Sequence, residues 1–330
     1  MANNRTLITG GAGFIGSHLV DALLARGERV TVVDDLSTGR RENLQAHSNQ
    51  PDLSLIEGSV CDRQLVDDLV ADCDRVFHLA AGVGVRKLAE GPAELLEENA
   101  IGTAVLLGSC VRHRRPVLIA SSSEVYGKSY ELPQREGGDI TLGPPQETRW
   151  SYACSKAVGE YLALAHHRSD GLPVVVARLF NTVGPRQRGR YGMVIPRFIQ
   201  QAEAGAPITV YGDGSQTRCF CHVRDTVAAL IALLETPDAA GQVVNVGSAE
   251  RVTIEALATR IREMTGSASE VATQPFESAY GPDMEDMRDR QPDLSRLFEL
   301  TGSRPGTSLD EILQDSIDHF RQFGDPDAAG

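Results

Sequence analysis

Apolar, β-branched runs alternate with amphipathic stretches from the start of the chain. Residues 6–9, 30–33, 53–57, 76–79 and 117–120 read as strands. Residues 14–26 read as a helix, because Ile15, Leu19, Ala22 and Leu23 recur at i, i+4, i+7 and i+8, and Gly27 supplies its end. Strands this uniformly apolar are covered on both faces, which predicts an α/β fold with a doubly wound parallel sheet. A Pro/Gly-rich loop at 132–145, a helix at 152–167 and a strand at 173–179 extend the pattern. From Gly184 onward the spacing is less regular, with a basic Gly-rich turn at 186–192, a strand at 208–211 and polar loops across 267–292. That stretch predicts a smaller α/β lobe facing a substrate, while 243–246 returns to the main sheet. The expected division is therefore interleaved: 1–180 plus about 222–250 for the main domain, and about 181–221 plus 251–330 for the lobe. Residues 325–330 read as a frayed tail.

At 330 residues the chain is long enough for two domains and a sizeable core, and no apolar run approaches the length that spans a bilayer. With 32 Lys and Arg against 45 Asp and Glu, the formal net charge is −13, and no basic stripe is clustered, so nucleic acid is an unsuitable partner. The six cysteines lie in or beside apolar runs, and Met1 leads into Arg5-Thr6-Leu7-Ile8 without a secretory signal, which points to a reduced, cytoplasmic protein. Cys219-Phe220-Cys221-His222 lacks a second ligand pair at zinc spacing, so no metal site is expected.

Directly after the first strand comes Thr9-Gly10-Gly11-Ala12-Gly13-Phe14-Ile15-Gly16, with an amphipathic helix behind it. In that context the glycines Gly10, Gly13 and Gly16 let backbone approach a pyrophosphate at a helix N-terminus, the signature of an NAD-binding Rossmann domain. Asp34 ends the second strand, 18 residues beyond Gly16, where a carboxylate accepts hydrogen bonds from both adenosine ribose hydroxyls. This favours NAD over NADP, with Arg40 and Arg41 leaving a minority NADP reading.

Tyr152-Ala153-Cys154-Ser155-Lys156 sets a phenol and an ammonium four apart on one helix face, so the cation is expected to lower the tyrosine pKa and make it a general base. Upstream, a strand runs into Ser121-Ser122-Ser123-Glu124-Val125-Tyr126-Gly127 at its carboxyl end, where ligands bind in such sheets. Ser122 and Ser123 could hold a substrate alcohol, and Glu124 could handle a second proton if desolvation raises its pKa. A serine-rich turn with a solvated Glu is the competing reading.

These residues resemble the extended short-chain dehydrogenase/reductases that modify nucleotide sugars, over nearly the whole chain. The likeness also includes His78-Leu79-Ala80-Ala81, Asn99 before Ile101-Gly102-Thr103, Arg178-Leu179-Phe180-Asn181 and Tyr211-Gly212-Asp213-Gly214. It implies NAD contacts at Phe14, Ile15, Asp34, Asp35, Ser59, Val60, Leu79, Ala80, Ala81, Asn99, Tyr152, Lys156 and Phe180. Asn181 and Arg218 are implied at the diphosphate, and Arg149, Arg186, Tyr211 and Arg290 complete the expected substrate set. The likeness also implies a homodimer, built from the helix bearing Tyr152 and one near 93–112.

Within that family, Ser123-Glu124 replaces the Asp-Glu pair typical of 4,6-dehydratases, and Thr148-Arg149-Trp150-Ser151-Tyr152 and Ser215-Gln216-Thr217-Arg218-Cys219-Phe220 look most like UDP-glucuronate decarboxylases. Three positions depart from the pattern: Ser59 for an Asp, Ser122 for a Thr, and Leu88 for a Tyr. The expected chemistry is NAD-dependent oxidation of UDP-glucuronate at C4, decarboxylation of the β-keto acid, and release or reduction of the UDP-4-keto-pentose to UDP-xylose. Arg149 is the candidate partner of the substrate carboxylate. A UDP-sugar 4-epimerase is the alternative, a 4,6-dehydratase a weaker one, and a sensor that binds NAD without turnover would not need the Tyr152 and Lys156 pair.

Overall fold

The computed structural model describes residues 4–82, 91–129, 131–189, 193–275 and 288–324. Its main sheet is built from β1 (Arg5–Thr9), β2 (Arg29–Asp34), β3 (Leu53–Glu57), β4 (Arg75–His78), β5 (Val117–Ser122), β6 (Val174–Leu179) and β11 (Val243–Val246). Their order is β11-β6-β5-β4-β1-β2-β3, and every pairing is parallel. The order reverses at β1, which lies between β2 and β4, so a crevice opens beyond the carboxyl ends of those strands.

Strand alternation explains why these segments are apolar throughout. Ile8 and Val32 face a core that includes Leu19 and Leu23 of α1 (Phe14–Ala25), while Leu7 and Val33 face the opposite core. That opposite core is closed by Val66 and Val70 of α2 (Arg63–Ala71), Leu106 of α3 (Pro92–His113) and Ala163 of α4 (Arg149–Asp170). The first helix ends as its sequence predicts, with the Gly27 amide donating to the Leu24 carbonyl at φ +77°.

A third core lies off the sheet. Short strands β7 (Thr182–Val183) and β10 (Cys221–His222) pair with each other, and α5 (Val194–Glu203) leads to β8 (Ile208–Tyr211). Farther along come β9 (Thr217–Cys219), β12 (Arg251–Thr253), α7 (Ile254–Thr265), β13 (Val271–Gln274) and α9 (Leu309–Phe323). Phe198, Ile208, Leu257, Ile261, Ile312 and Ile317 interlock there. Between β10 and β11, α6 (Val223–Glu235) returns to the main sheet through Val227 and Leu230.

Two features differ from the sequence pattern. Within the stretch read as polar loops, β13 pairs in parallel with β8; it is four residues long and half of them are exposed, so it carries no apolar signal. Helix α8 (Ser295–Thr301), expected in the lobe, instead buries Leu297 in the core shared with α1 and α6. Among the described residues no helix is long and apolar enough to cross a membrane.

Candidate active site

The cleft at the switch point has a volume of about 490 Å³ and runs from the N-terminus of α1 to the face of the lobe. Helix α1 starts at Gly13 with no side-chain cap, so its first-turn amides are left for an anion. Gly16 is required by close packing: a Cβ there would sit 2.2 Å from the Gly10 carbonyl oxygen and 2.7 Å from Gly11 Cα. Gly16→Ala is therefore expected to weaken NAD binding by about tenfold or more, checked by titration calorimetry, while leaving UDP binding intact.

Asp34 is buried at the cleft wall, and its two oxygens accept from the amides of Ala12 and Leu36, each at 2.9 Å. Burial raises its carboxyl, and those two amides oppose the rise. Gly39 makes room for this carboxylate, since a Cβ would lie 2.7 Å from Oδ1. Arg40 pairs with Glu42 at 3.3 Å and Arg41 with Glu57, so both cations are engaged with acidic neighbours. Asp35, Ser59, Val60, Leu79, Ala80, Ala81 and Phe180 also line the cleft, together with Gly10, Phe14 and Ile15. Asn99 lines it too, accepting from Gly82 N at 2.8 Å and donating to Ser155 Oγ at 3.1 Å, which ties the loop after β4 to α4. Uncapped helix amides, a buried carboxylate at the end of β2 and a cleft of this length fit a dinucleotide.

Tyr152 and Lys156 project from the first turns of α4 into the cleft, one turn apart. Lys156 Nζ donates to the Ala120 carbonyl at 2.9 Å, and burial pulls its pKa down to about 8 against the opposing charge of Glu160. The expectation that the lysine lowers the tyrosine is not met: burial and then the Glu124 charge push the Tyr152 phenol up. A hydrogen bond with Ser122 and the Arg290 charge work in the other direction. Ser122 also accepts from the Glu124 amide at 3.2 Å, closing a single helical turn, Ser123–Tyr126, in which Ser123 is buried.

Glu124 departs from its expected state as well. Arg149 Nη2 donates to both of its oxygens at 3.1 and 3.2 Å, and Arg290 Nη2 donates to Oε1 at 2.5 Å. Burial alone would raise this carboxyl, but the Arg149 and Arg290 guanidiniums outweigh it and hold it below the usual carboxylate range. Arg149 thus pairs first with Glu124 rather than standing ready for a substrate alone. Burial pulls Arg290 down to about 10, and the Nε atoms of Arg149 and Arg290 are buried without a hydrogen-bond partner.

Asn181, Tyr211 and Arg218 also line the cleft. Arg186 does not: it pairs with Asp21 at 2.8 Å, away from the cleft lining. Arg197 of α5 was missed; its guanidinium carbon sits 4.3 Å from the Tyr211 ring centroid and shapes the cleft there. The only signal for it was a cation inside an otherwise apolar helix start, Val194-Ile195-Pro196. Leu88 and the end of the basic turn, residues 190–192, lie outside the described residues.

Residues 6–247 match the NAD dependent epimerase/dehydratase family. The chain is 40% identical to a UDP-N-acetyl-alpha-D-glucosaminuronate decarboxylase of Bacillus cytotoxicus, over 97% of this chain and 98% of that protein. It is 37% identical to UDP-glucuronic acid decarboxylase 1 of Xenopus tropicalis, over 96% of this chain and 72% of that one. Among solved structures, a UDP-glucuronic acid 4-epimerase from Bacillus cereus, in complex with UDP-glucuronic acid and NAD, superposes with a TM-score of 0.86 at 28% identity, covering 96% of this chain and 99% of that one. A dTDP-glucose 4,6-dehydratase from Streptomyces venezuelae with NAD gives 0.87 at 28% identity, covering 97% of each chain. A glycine-rich cradle, a Tyr152 and Lys156 pair and a sheet reversing at β1 all agree with these likenesses: the chain belongs to the NAD dependent epimerase/dehydratase family.

Proposed function

We propose that the protein is an NAD-dependent decarboxylase of UDP-glucuronate. The observation that carries the reading is the buried pair Arg149 and Arg290 around Glu124, beside Tyr152. Two guanidiniums facing one carboxylate leave one positive charge over, and the C5 carboxylate of a uronate balances it; a neutral hexose would not. The Gly10 to Gly16 cradle and Asp34 would hold NAD, which would supply a reversible hydride acceptor for C4, so net redox change is nil. As the phenolate, which the Ser122 hydrogen bond and the Arg290 charge favour, Tyr152 takes the proton from the 4-hydroxyl. Once C4 is a ketone the carboxylate lies β to it. CO2 then leaves as the C–C electrons flow toward an enolate oxygen that Tyr152 and Ser122 stabilise. A proton taken up from solvent and relayed on the side of the ionised Glu124 protonates C5 to give the 4-keto-pentose, and reduction at C4 with return of the Tyr152 proton to O4 would give UDP-xylose.

The relative from Bacillus cytotoxicus supports a second reading, in which the uronate carries an acetamido group at C2. Separate incubations with UDP-glucuronate, its 2-acetamido analogue and UDP-glucose, followed by mass spectrometry, decide between them. Loss of the mass of CO2 is expected from UDP-glucuronate at a kcat/KM at least about tenfold above the 2-acetamido compound. The reverse ranking would select the second reading, and isomers of unchanged mass would select the 4-epimerase.

Further features of the reading are a cytoplasmic location and a homodimer. Ile101 on α3 and Val158 and Tyr161 on α4 are exposed at 45%, 39% and 66%, an apolar patch of the kind that supports pairing of two copies through these helices. We divide the chain into a sheet domain that includes α6, β11 and α8, and a lobe around the third core.

A further inference from the structure

Behind the reacting groups lies a buried ionic cluster to which the reaction scheme assigns no part. Glu160 sits one turn beyond Lys156 on α4 and two turns beyond Tyr152, so the three share one helix face. Its carboxylate is buried and accepts three hydrogen bonds: from Arg178 Nε at 2.9 Å, Arg178 Nη2 at 2.7 Å and Ser121 Oγ at 2.5 Å. Arg178, also buried, stands on β6 opposite Ser121 of β5, and its guanidinium carbon lies 4.7 Å from the Tyr126 ring centroid. The cluster therefore grips both sides of the Ser122–Glu124 turn. Ser121 precedes it, Tyr126 ends it, and Tyr126 is itself fixed by donating to Asn245 Oδ1 at 2.6 Å.

We infer that Glu160 is a positioning residue of the active site: it is the counter-charge of the Lys156 ammonium, and with Arg178 it fixes the strand end that presents Ser122 to Tyr152. A buried ion pair of this kind is a poor source of stability, because desolvation of both charges offsets their attraction. What the pair supplies is geometry and field. The titratable and charged groups around Lys156 are Tyr152 and Glu160 on its own helix, His78 from the end of β4, Glu124 from the turn after β5, and Arg178 from β6 behind Glu160. His78 is held neutral: burial first, and then the Lys156 charge, pull it down to about 3. Glu124 faces Arg149 and Arg290, whereas Glu160, one turn from Lys156 and held by Arg178, is the acid whose charge opposes the desolvation of the ammonium.

The inference rests on Tyr152 and Lys156 acting as the proton-transfer pair of the proposed function, but its test does not require that substrate. The chain has only three lysines, Lys87, Lys128 and Lys156, so protein labelled with 13C and 15N at lysine gives a spectrum simple enough to titrate each ammonium, with Lys156 assigned from Lys156→Arg. In the wild type the Lys156 midpoint is expected near its depressed value of about 8. In Glu160→Gln it falls by about one unit or more, since an anion one turn away is lost and Arg178 is left unbalanced. Glu160→Asp, which keeps the charge, restores most of the shift. Because Glu160→Gln strands a buried guanidinium, the double variant Glu160→Leu with Arg178→Met serves as a second probe that keeps the core filled; its midpoint is expected to fall as well, by less. A Lys156 midpoint unchanged in the folded variants, with only the melting temperature lowered, overturns the inference and leaves the pair a structural tie. A shifted midpoint in a protein that does not decarboxylate UDP-glucuronate would retain the inference and reject the substrate.

Discussion

Tyr152→Phe is expected to lower kcat/KM by about 10³-fold or more while leaving the fold and NAD binding unchanged. The phenol is the group placed to take the 4-hydroxyl proton, and removing one oxygen from a half-buried ring at the cleft creates no cavity. The loss should appear almost wholly in kcat, because the rest of the nucleotide-sugar surface, including Asn181, Tyr211 and Arg218, is untouched. Turnover followed by mass spectrometry, beside an NAD titration and a melting curve, checks it. Activity within about tenfold of wild type would move the base elsewhere and would leave Lys156 without its part in the reaction.

Glu124→Gln carries the next largest effect. The carboxylate is ionised throughout the neutral range because Arg149 and Arg290 hold it down, so the change removes a full charge from the cleft. Two guanidiniums are then left facing a substrate carboxylate without internal competition. KM for UDP-glucuronate is expected to stay level or fall, whereas kcat falls by about 10²-fold as protonation at C5 loses its relay. Steady-state kinetics separate the two parameters. An unchanged kcat with a raised KM would make Glu124 a structural clamp on the arginines and nothing more.

Much of this site was legible in the chain because its chemistry is local. The glycines from the end of β1 into α1 must be close together to form a phosphate cradle, Asp34 must end the next strand, and Tyr152 and Lys156 must be four apart to share a helix face. What was not legible depends on distance. Glu124 and Arg290 are 166 positions apart, and nothing short of the fold says that the arginine cancels the carboxylate. The rise of Tyr152 comes from burial and the Glu124 charge, and the fall of Glu124 from Arg149 and Arg290 against its burial, so reasoning from neighbours in sequence assigned both the wrong sign. Arg186 sat in a basic turn and was expected in the substrate set, but Asp21 on α1, far away in sequence, pairs with it. Glu160 drew no reading from the sequence, because only the pairing of β5 with β6 sets Arg178 directly opposite Ser121 and brings both to its carboxylate.

The most direct test of the central claim is the fate of one carbon. UDP-glucuronate labelled with 13C at the carboxyl group, incubated with the protein and NAD and followed by carbon NMR, should lose its label from the sugar into dissolved CO2 and bicarbonate as a UDP-pentose or its 4-keto form accumulates. Label that remains in a hexuronate, whatever its configuration at C4, would contradict decarboxylation.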